Sequence, residues 1–251
     1  MNKLLDSVMD LGEQMLINGG EVHRVEDSLK RIFSAYNAER TDVFIITSSM
    51  VVTVHDKDGN SYTQTRRITD TGTDFEKLHR LNELSRKICS ERLSAEEIKT
   101  ELDKIPCCLK YPLWLEFLCY ALISGIFTLS VGGGIAETMV SFLSGVLIRL
   151  VILACDKSIN SKIFAKFISA FLASAVAYIA FGIDLVPAVD RIIIGNIMTL
   201  VPGIGITNAL RDLLVGDSMA GLLRTIEAVI TALAITAGYF AVVFLTGGAQ
   251  L

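Results

Sequence analysis

Charged side chains are distributed very unevenly along the chain, and this constrains its fold more than any other feature. Residues 1–112 hold 16 of the 23 lysines and arginines and 19 of the 27 aspartates and glutamates. The other 139 residues hold only 7 and 8 of them and include several long apolar stretches. Such a split indicates two solvent environments. We predict a soluble domain over residues 1–110 and a transmembrane domain over residues 111–251.

The apolar stretches are long enough to cross a bilayer as helices. The first, residues 113–131, contains a single acidic residue near its start. At about 1.5 Å per residue, a helix of this length approaches the roughly 30 Å thickness of the hydrocarbon core. Trp114 lies at its entry, where interfacial aromatic residues are common. The predicted spans are residues 113–131, 135–155, 163–182, 192–210 (broken at 202–205) and 225–245.

The first 110 residues are predicted to form an α+β domain, a small antiparallel sheet plus helices. Apolar residues at steps of three and four over 4–15 predict an amphipathic helix, which should end at the double glycine 19–20. A second helix should follow. Two or three antiparallel strands are predicted over residues 42–68, which are rich in β-branched side chains. Later, Ser94 and Glu97 have the spacing of a capping box at the start of a helix.

Basic residues near the span ends predict the orientation of the chain. The link 132–137 contains no lysine or arginine, whereas the next link and its flanks contain Lys157, Lys162 and Lys166. Because basic links favour the cytoplasmic side, the N-terminal domain should be cytoplasmic. Five spans would then place the C-terminus outside.

Several function classes lack the residues that they need. The net charge of −4 argues against a nucleic-acid partner. The motif GxxxxGK[ST] of ATP-driven pumps does not occur. The five cysteines include the adjacent Cys107 and Cys108, which lack the spacing of a zinc or redox site. We expect no metal site, no cofactor and no enzymatic activity.

The fourth predicted span carries the sharpest signal for a solute site. Its apolar run before Pro202 covers only about half a bilayer, and Pro202 removes a backbone donor beside Gly203. Non-helical backbone at membrane depth is tolerated only where protein buries it or water lines it, and broken helices build solute sites in secondary transporters. The alternative is a proline-kinked span followed by a polar cytoplasmic loop.

Beyond the proline, the spacing of Asn208, Arg211 and Asp212 places them on one face of a resumed helix. The free N–H groups at the start of such a half-helix suit a carboxylate. The predicted substrate-binding residues are Asn196, Thr199, Pro202, Gly203, Thr207, Asn208, Arg211 and Asp212.

Two further charged residues lie within or near the predicted spans. Arg149 in the second span and Glu227 near the start of the fifth are candidates for solute binding or ion coupling, because a charge at membrane depth is costly and usually faces protein. Arg149 could equally extend to the cytoplasmic surface. Glu227 could equally mark the membrane interface.

A polar cluster that includes Arg24 and Glu26 follows the double glycine. It could be a gate, a subunit contact or a ligand site, or simply a solvated helix face. The candidate residues for a cytoplasmic gate or subunit contact are Glu13, Glu21, Arg24 and Glu26.

Taken in order, these motifs resemble the bacterial threonine/serine exporter family over nearly the whole chain. The resemblance rests on Leu11-Gly12-Glu13, Asn18-Gly19-Gly20-Glu21, Arg24-Val25-Glu26, the strands of 42–68, the helix of 75–89, the stretch Pro202–Asp212 and Gly221–Glu227. It implies a secondary transporter in the bacterial cytoplasmic (inner) membrane. The exported solutes would be small and carboxylate-bearing: threonine, serine or a dicarboxylate such as succinate.

Long members of that family carry about ten spans, whereas five are predicted in this chain. It therefore resembles the split type, which implies a second small integral membrane subunit as partner. Ser169, Ala173 and Ala177 lie four residues apart and allow close helix packing. A homo-oligomer is thus a further candidate assembly, beside contact with membrane lipid.

Two other functions are open. The chain could be a membrane-anchored sensory or scaffold protein, in which the broken helix serves only packing. It could also be a membrane-anchored hydrolase. Its N-terminal half offers suitable residue types but neither a nucleophile elbow nor an HExxH motif. Those residues are Ser48, Ser49, His55, Asp56 and His79.

Overall fold

The computed structural model describes residues 1–69, 72–105, 111–158 and 161–247. It is a polytopic α-helical membrane protein with an N-terminal α+β domain. Two compact units form: the first comprises Met1–Leu109 and Gly205–Thr225, and the second comprises Lys110–Ile204 and Ile226–Leu251. The domain boundary at residue 110 stays a prediction, because it lies outside the described residues. The stretch 205–225, predicted as part of the transmembrane domain, groups with the first unit.

Four helices and a sheet build the N-terminal part of the first unit. Leu11 on the first helix and Leu29 and Phe33 on the second are fully buried, because each helix has one apolar face. The same apolar periodicity that predicted these helices therefore forms their packing surface. The helices are α1 (Asn2–Ile17), α2 (Val22–Ala35), α3 (Phe75–Glu91) and α4 (Ala95–Lys104).

The sheet has three antiparallel strands in the order β1-β2-β3. Met50, Val52 and Val54 alternate on the central strand and are fully buried, since successive side chains of a strand point to opposite faces. Val52 pairs with Val43 on one side and Gln64 on the other. The strands are β1 (Arg40–Ile46), β2 (Ser49–His55) and β3 (Ser61–Arg67).

Side-chain caps define where α3 and α4 begin. Asp74 accepts a hydrogen bond from the backbone N–H of Lys77 at 3.0 Å. At α4, the Ser94 hydroxyl accepts from the Glu97 N–H at 3.3 Å, and the Glu97 carboxylate accepts from the Ser94 N–H at 2.7 Å. The predicted capping box is therefore confirmed.

The second unit is a bundle in which small residues bring helix backbones close together. A Cβ at Gly145 would lie 2.8 Å from the Cα of Ala121, and one at Gly238 would lie 3.0 Å from the backbone nitrogen of Phe171. Ala177 is fully buried in the same bundle. Its first four helices are α5 (Leu113–Ser130), α6 (Ile135–Ser158), α7 (Lys162–Gly182) and α8 (Asp190–Leu200), and Gly238 belongs to a later helix of the same unit.

Two helices follow α8: α9 (Gly203–Val215) and α10 (Ser218–Leu245). Among the described residues, four helices are long and apolar enough to span a membrane, or five if α8 and α9 count as one span bent by 58°. The break lies at Val201-Pro202. Val201 has extended backbone (φ −61°, ψ 131°), because a following proline disfavours helical dihedrals.

The observed break is shorter than the predicted 202–205. Gly203 and Gly205 lie in regular helix, since glycine tolerates helical dihedrals and only the proline lacks a donor. Thr207 and Asn208 therefore lie beyond the first turn of α9 and not at its N-terminus. The orientation of the spans and the external position of the C-terminus stay predictions, and residues 248–251 lie outside the described part of the chain.

Candidate functional site

The double glycine closes α1 and shapes a turn that later residues contact. Gly19 has a left-handed backbone (φ +94°), and the Gly20 N–H donates to the Met15 carbonyl at 2.8 Å. A Cβ at Gly20 would lie 2.6 Å from that same carbonyl oxygen. Only glycine therefore fits at position 20 without moving backbone.

Glu21, the residue after the double glycine, forms an ion pair with α9. Its carboxylate accepts a hydrogen bond from the Arg211 guanidinium at 2.7 Å. The Glu21 side chain is 20% exposed and that of Arg211 is 56% exposed. A predicted gate residue and a predicted substrate-binding residue therefore contact each other directly within the first unit.

A second ion pair lies beside the first and is more deeply buried. The Asp212 carboxylate, 3% exposed, lies 3.3 Å from the Arg224 guanidinium, which is 17% exposed. Arg224 also donates to the Gly20 carbonyl at 3.5 Å. Arg224 therefore connects the double-glycine turn to the buried carboxylate of α9. The sequence marked this residue only through its place in the family-like stretch 221–227.

A cavity of about 160 Å³, here called the double-glycine pocket, opens at this turn. The charged and amide side chains that line it are Glu21, Arg24, Asn82 and Asn208. Their types suit a small polar solute: a guanidinium for a carboxylate, a carboxylate for an ammonium group, and amides for both. Its volume is close to the roughly 150 Å³ that holds a benzene molecule in an engineered cavity. Apolar and glycine residues complete the lining: Met15, Gly19, Gly20, Val25, Phe75 and Leu78.

The other two gate candidates do not line this pocket. The Glu13 carboxylate lies 4.0 Å from Arg66 of the sheet, and Glu26 lies 3.6 Å from Lys30 one turn further along α2. Burial raises the pKa of Glu26 above its usual value despite the nearby lysine. Of the four gate candidates, the structure therefore brings only Glu21 and Arg24 to the pocket.

The second unit contains a buried polar seam formed by α5, α6 and α8. Ser124 and Thr128 on α5 and Ser141 on α6 are fully buried. The Ser124 hydroxyl lies 2.9 Å from that of Thr199, and the Thr128 hydroxyl lies 2.6 Å from that of Ser141. Hydroxyl pairs of this kind are common between membrane helices. The predicted substrate residue Thr199 therefore belongs to this seam.

Asn196 lies on α8 one turn before Thr199. It is 3% exposed, and neither its amide nitrogen nor its amide oxygen has a hydrogen-bond partner among the described residues. Gly195 brings α8 close to α5, since a Cβ there would lie 2.7 Å from the Ser124 carbonyl oxygen. A buried, unsatisfied amide is costly and calls for an explanation such as a ligand.

The predicted substrate-binding residues thus fall into three groups. Asn196 and Thr199 belong to the second unit, and Pro202 and Gly203 lie at the break. The remaining members belong to the first unit, where Asn208 lines the double-glycine pocket and Arg211 and Asp212 form ion pairs. Thr207, the eighth, also lies in the first unit on α9.

One buried acid of the second unit was not among the predicted site residues. Glu137, 1% exposed, accepts from the Gly134 N–H at 2.5 Å and lies 3.5 Å from Arg191. Its other carboxylate oxygen has no hydrogen-bond partner among the described residues. The sequence pattern that could have identified Glu137 is its position at the start of a predicted span, three residues after the last of the three glycines 132–134.

Arg149 and Glu227 have contrasting surroundings. Arg149 already has a carboxylate partner, since its Nε donates to Glu116 at 2.8 Å, and it also lies 5.6 Å from the ring centroid of Tyr120. Glu227 is exposed on α10 and has no ion-pair partner among the described residues. The proposed roles of both residues in binding or coupling stay predictions.

A hydroxyl, an imidazole and a carboxylate lie in series on the sheet. The Ser61 hydroxyl is 2.8 Å from His55 Nδ1, and His55 Nε2 is 3.6 Å from Asp42. Arg40 also holds Asp42, at 2.9 Å. These residues are partly exposed neighbours across the strands, so cross-strand pairing accounts for their contacts. Within the described ranges, no group of three or more His, Cys, Asp or Glu could hold a metal ion.

Comparison with known proteins identifies relatives along nearly the whole chain. The family model described as putative threonine/serine exporter matches residues 6–246. The probable succinate transporter subunit YjjP of Klebsiella aerogenes is 26% identical over 227 residues, which are 89% of this chain and 86% of that protein. The threonine/serine exporter of Corynebacterium glutamicum is 26% identical over 175 residues, 66% of this chain but 35% of that exporter. No solved structure gives a significant match.

Proposed function

The chain belongs to the threonine/serine exporter family, and from this premise we propose that it is one subunit of an exporter of small carboxylate-bearing solutes. The solutes would be threonine, serine or a dicarboxylate such as succinate. Export would proceed across the bacterial cytoplasmic membrane, with the N-terminal domain on the cytoplasmic side and without enzymatic turnover by this chain.

One observation carries the proposal: Arg24 and Asn208 line the same small pocket. The first was predicted as a gate residue and the second as a substrate residue, from separate patterns far apart in the sequence. In the pocket, Arg24 would bind the solute carboxylate, because a guanidinium matches carboxylate geometry. Glu21 would bind the ammonium group of threonine or serine, and the two asparagines would bind the remaining polar groups, including the second carboxylate of a dicarboxylate.

The polar seam supports a route for the solute through the second unit. Its hydroxyls and the unpartnered amide of Asn196 lie among otherwise apolar helices. Polar groups inside membrane helices either join helices, as the paired hydroxyls do, or line a substrate path, and the unpartnered amide of Asn196 favours the second role. The Asn196 amide would donate to the solute carboxylate, so that binding satisfies a group that is otherwise unsatisfied.

The exposed Glu227 supports a second subunit. A carboxylate on the lipid-facing surface of a span is costly, so it usually faces protein or water. Ile230, one turn further along α10 on the same side as Glu227, is also exposed, at 43%. We therefore place the second small integral membrane subunit against this face of α10. The relative from Klebsiella aerogenes is itself named as a transporter subunit.

Efflux of labelled serine, threonine and succinate tests the proposal. Cells would express this chain alone, a candidate second subunit alone, or both. We expect efflux of at least one solute only when both are present, and we expect Asn208→Ala to reduce it without reducing the amount of protein in the membrane. Arg40→Gln, which removes an exposed arginine of the sheet, is the matched control.

Unchanged efflux in the Asn208→Ala variant would favour the sensory or scaffold alternative. If neither chain nor both together export any of the three solutes, the proposed solute class is wrong.

A further inference from the structure

A second cavity of the first unit, here called the arginine groove, lies between α2 and α3 and is distinct from the double-glycine pocket. Its volume is about 540 Å³, and three arginines line it: Arg24 and Arg31 from α2 and Arg86 from α3. One carboxylate, that of Asp27, also lines it. Volumes between roughly 300 and 1,000 Å³ are typical of sites for organic ligands.

The charges of the groove are not balanced by the protein. Among the described residues, neither Arg24 nor Arg86 has a carboxylate within ion-pair distance. The Arg31 guanidinium lies 4.0 Å from the Asp27 carboxylate, at the limit of an ion pair. The His23 imidazole lies at the same distance from that carboxylate. Three guanidinium groups and one carboxylate leave an excess of two positive charges, in a chain whose net charge is −4. The groove therefore complements a ligand with two negative charges.

The remaining polar groups of the groove identify the guanidinium groups as its main donors. The Ser28 hydroxyl donates to the Arg24 carbonyl at 2.8 Å, and the Ser90 hydroxyl donates to the Lys87 carbonyl at 3.1 Å. These hydroxyl hydrogens are thus used within their own helices. Guanidinium groups form paired hydrogen bonds with carboxylate and phosphate oxygens, which fits either kind of anion.

We propose that the arginine groove binds an organic dianion, a phosphate monoester or a dicarboxylate, as a regulatory site on the N-terminal domain. Arg24 lines both this groove and the double-glycine pocket. A dianion in the groove would draw the Arg24 guanidinium away from the pocket and lower its affinity for a solute carboxylate. This coupling rests on the proposed function, whereas binding to the groove does not.

Binding to the purified full-length chain in detergent tests the groove directly. The probes are adenosine monophosphate, succinate and, as a monoanion, acetate. We expect the two dianions to bind more tightly than acetate, and the stronger of the two identifies the ligand class. Affinity should fall as salt is raised, because exposed charges are screened.

Variants locate the binding. Arg86→Gln should weaken dianion binding about tenfold, since one charge-assisted hydrogen bond is lost. Arg80→Gln removes the same charge from α3 outside the groove, where Arg80 pairs with Glu76 at 3.0 Å, and should leave binding unchanged. Equal affinity of the parent chain and Arg86→Gln, or equal binding of all three probes, would overturn the proposal.

Cys89 offers an independent readout, because this half-buried thiol lines the groove. Alkylation of Cys89, followed by mass spectrometry of its peptide, should slow when the tighter dianion is present and should not slow with acetate. An alkylation rate that no dianion changes would place the ligand elsewhere. If the dianion binds the groove but does not change solute efflux, the binding site stands and the coupling through Arg24 is rejected.

Discussion

Glu21 and Arg211 are 190 residues apart in the sequence, yet their side chains are joined by a hydrogen bond of 2.7 Å. The bond connects the turn after α1 to the helix that follows the break at Pro202. Glu21 lines the double-glycine pocket, so the bond joins one side chain of its lining to α9.

Exchanging the two charges should test this pair. Glu21→Gln or Arg211→Gln alone should reduce efflux, because the pocket wall loses its ionic contact. The double variant Glu21→Arg with Arg211→Glu should recover part of the loss. The interaction free energy between the two side chains, measured from the thermal unfolding of the single and double variants, should be small, about 0.2–1 kcal/mol, since Arg211 is 56% exposed. If the exchange recovers no efflux, Glu21 acts on the solute itself and not through Arg211.

Adding a methyl group at Gly20 should destabilise the first unit. The Cβ of Gly20→Ala would lie 2.6 Å from the Met15 carbonyl oxygen, so backbone must move, at a cost of about 1–3 kcal/mol. Thermal unfolding of the purified chain measures the effect. Gly72→Ala is the matched control, because its Cβ would lie at an ordinary 3.4 Å from the Ile17 carbonyl oxygen. Equal melting temperatures for the two variants would contradict the prediction.

Replacing Asn196 should separate stability from transport. Asn196→Leu removes a buried amide that has no partner among the described residues, so the melting temperature should stay the same or rise. Efflux should nevertheless fall, because the solute loses its donor. Ser144→Ala is the control, since the Ser144 hydroxyl is already bonded to the Val140 carbonyl at 3.0 Å. A stable Asn196→Leu variant with full efflux would remove this residue from the solute route.

Glu101 should make the stability of the first unit depend on pH in the acid range. Hydrogen bonds from Lys104 at 2.7 Å and Lys87 at 3.0 Å lower its pKa from 4.5 to about 2. Because the folded-state pKa is depressed, its stabilising contribution is fully present above pH 4.5 and is lost as the pH falls towards 2.

The measurement compares the melting temperature of the parent chain with that of Glu101→Gln. The parent should be more stable at neutral pH, and the difference should shrink between pH 4.5 and 2. Glu91→Gln, at an α3 glutamate with no ion pair among the described residues, should show no such change. A difference that is constant with pH would show that Glu101 acts through packing alone.

Local patterns predicted much of the fold. The apolar spacing of α1, the capping box at Ser94 and the apolar stretches of the spans each depend on residues a few positions apart. The break at Pro202 is equally local, because one missing backbone donor and the restricted dihedrals of Val201 suffice to end α8. Its length was overpredicted because glycines 203 and 205 can also adopt helical backbone.

Contacts between distant segments could not be predicted in this way. The sequence by itself determined the class of protein, the helices and strands, and the types of residue available for a carboxylate. Only the tertiary structure decided that Arg24 and Asn208 line one pocket and that three arginines of α2 and α3 line one groove. It also decided that Arg149 is paired with Glu116. The physical reason is that spacing along the chain fixes which face of a helix a residue occupies, whereas packing of the whole chain selects which faces meet.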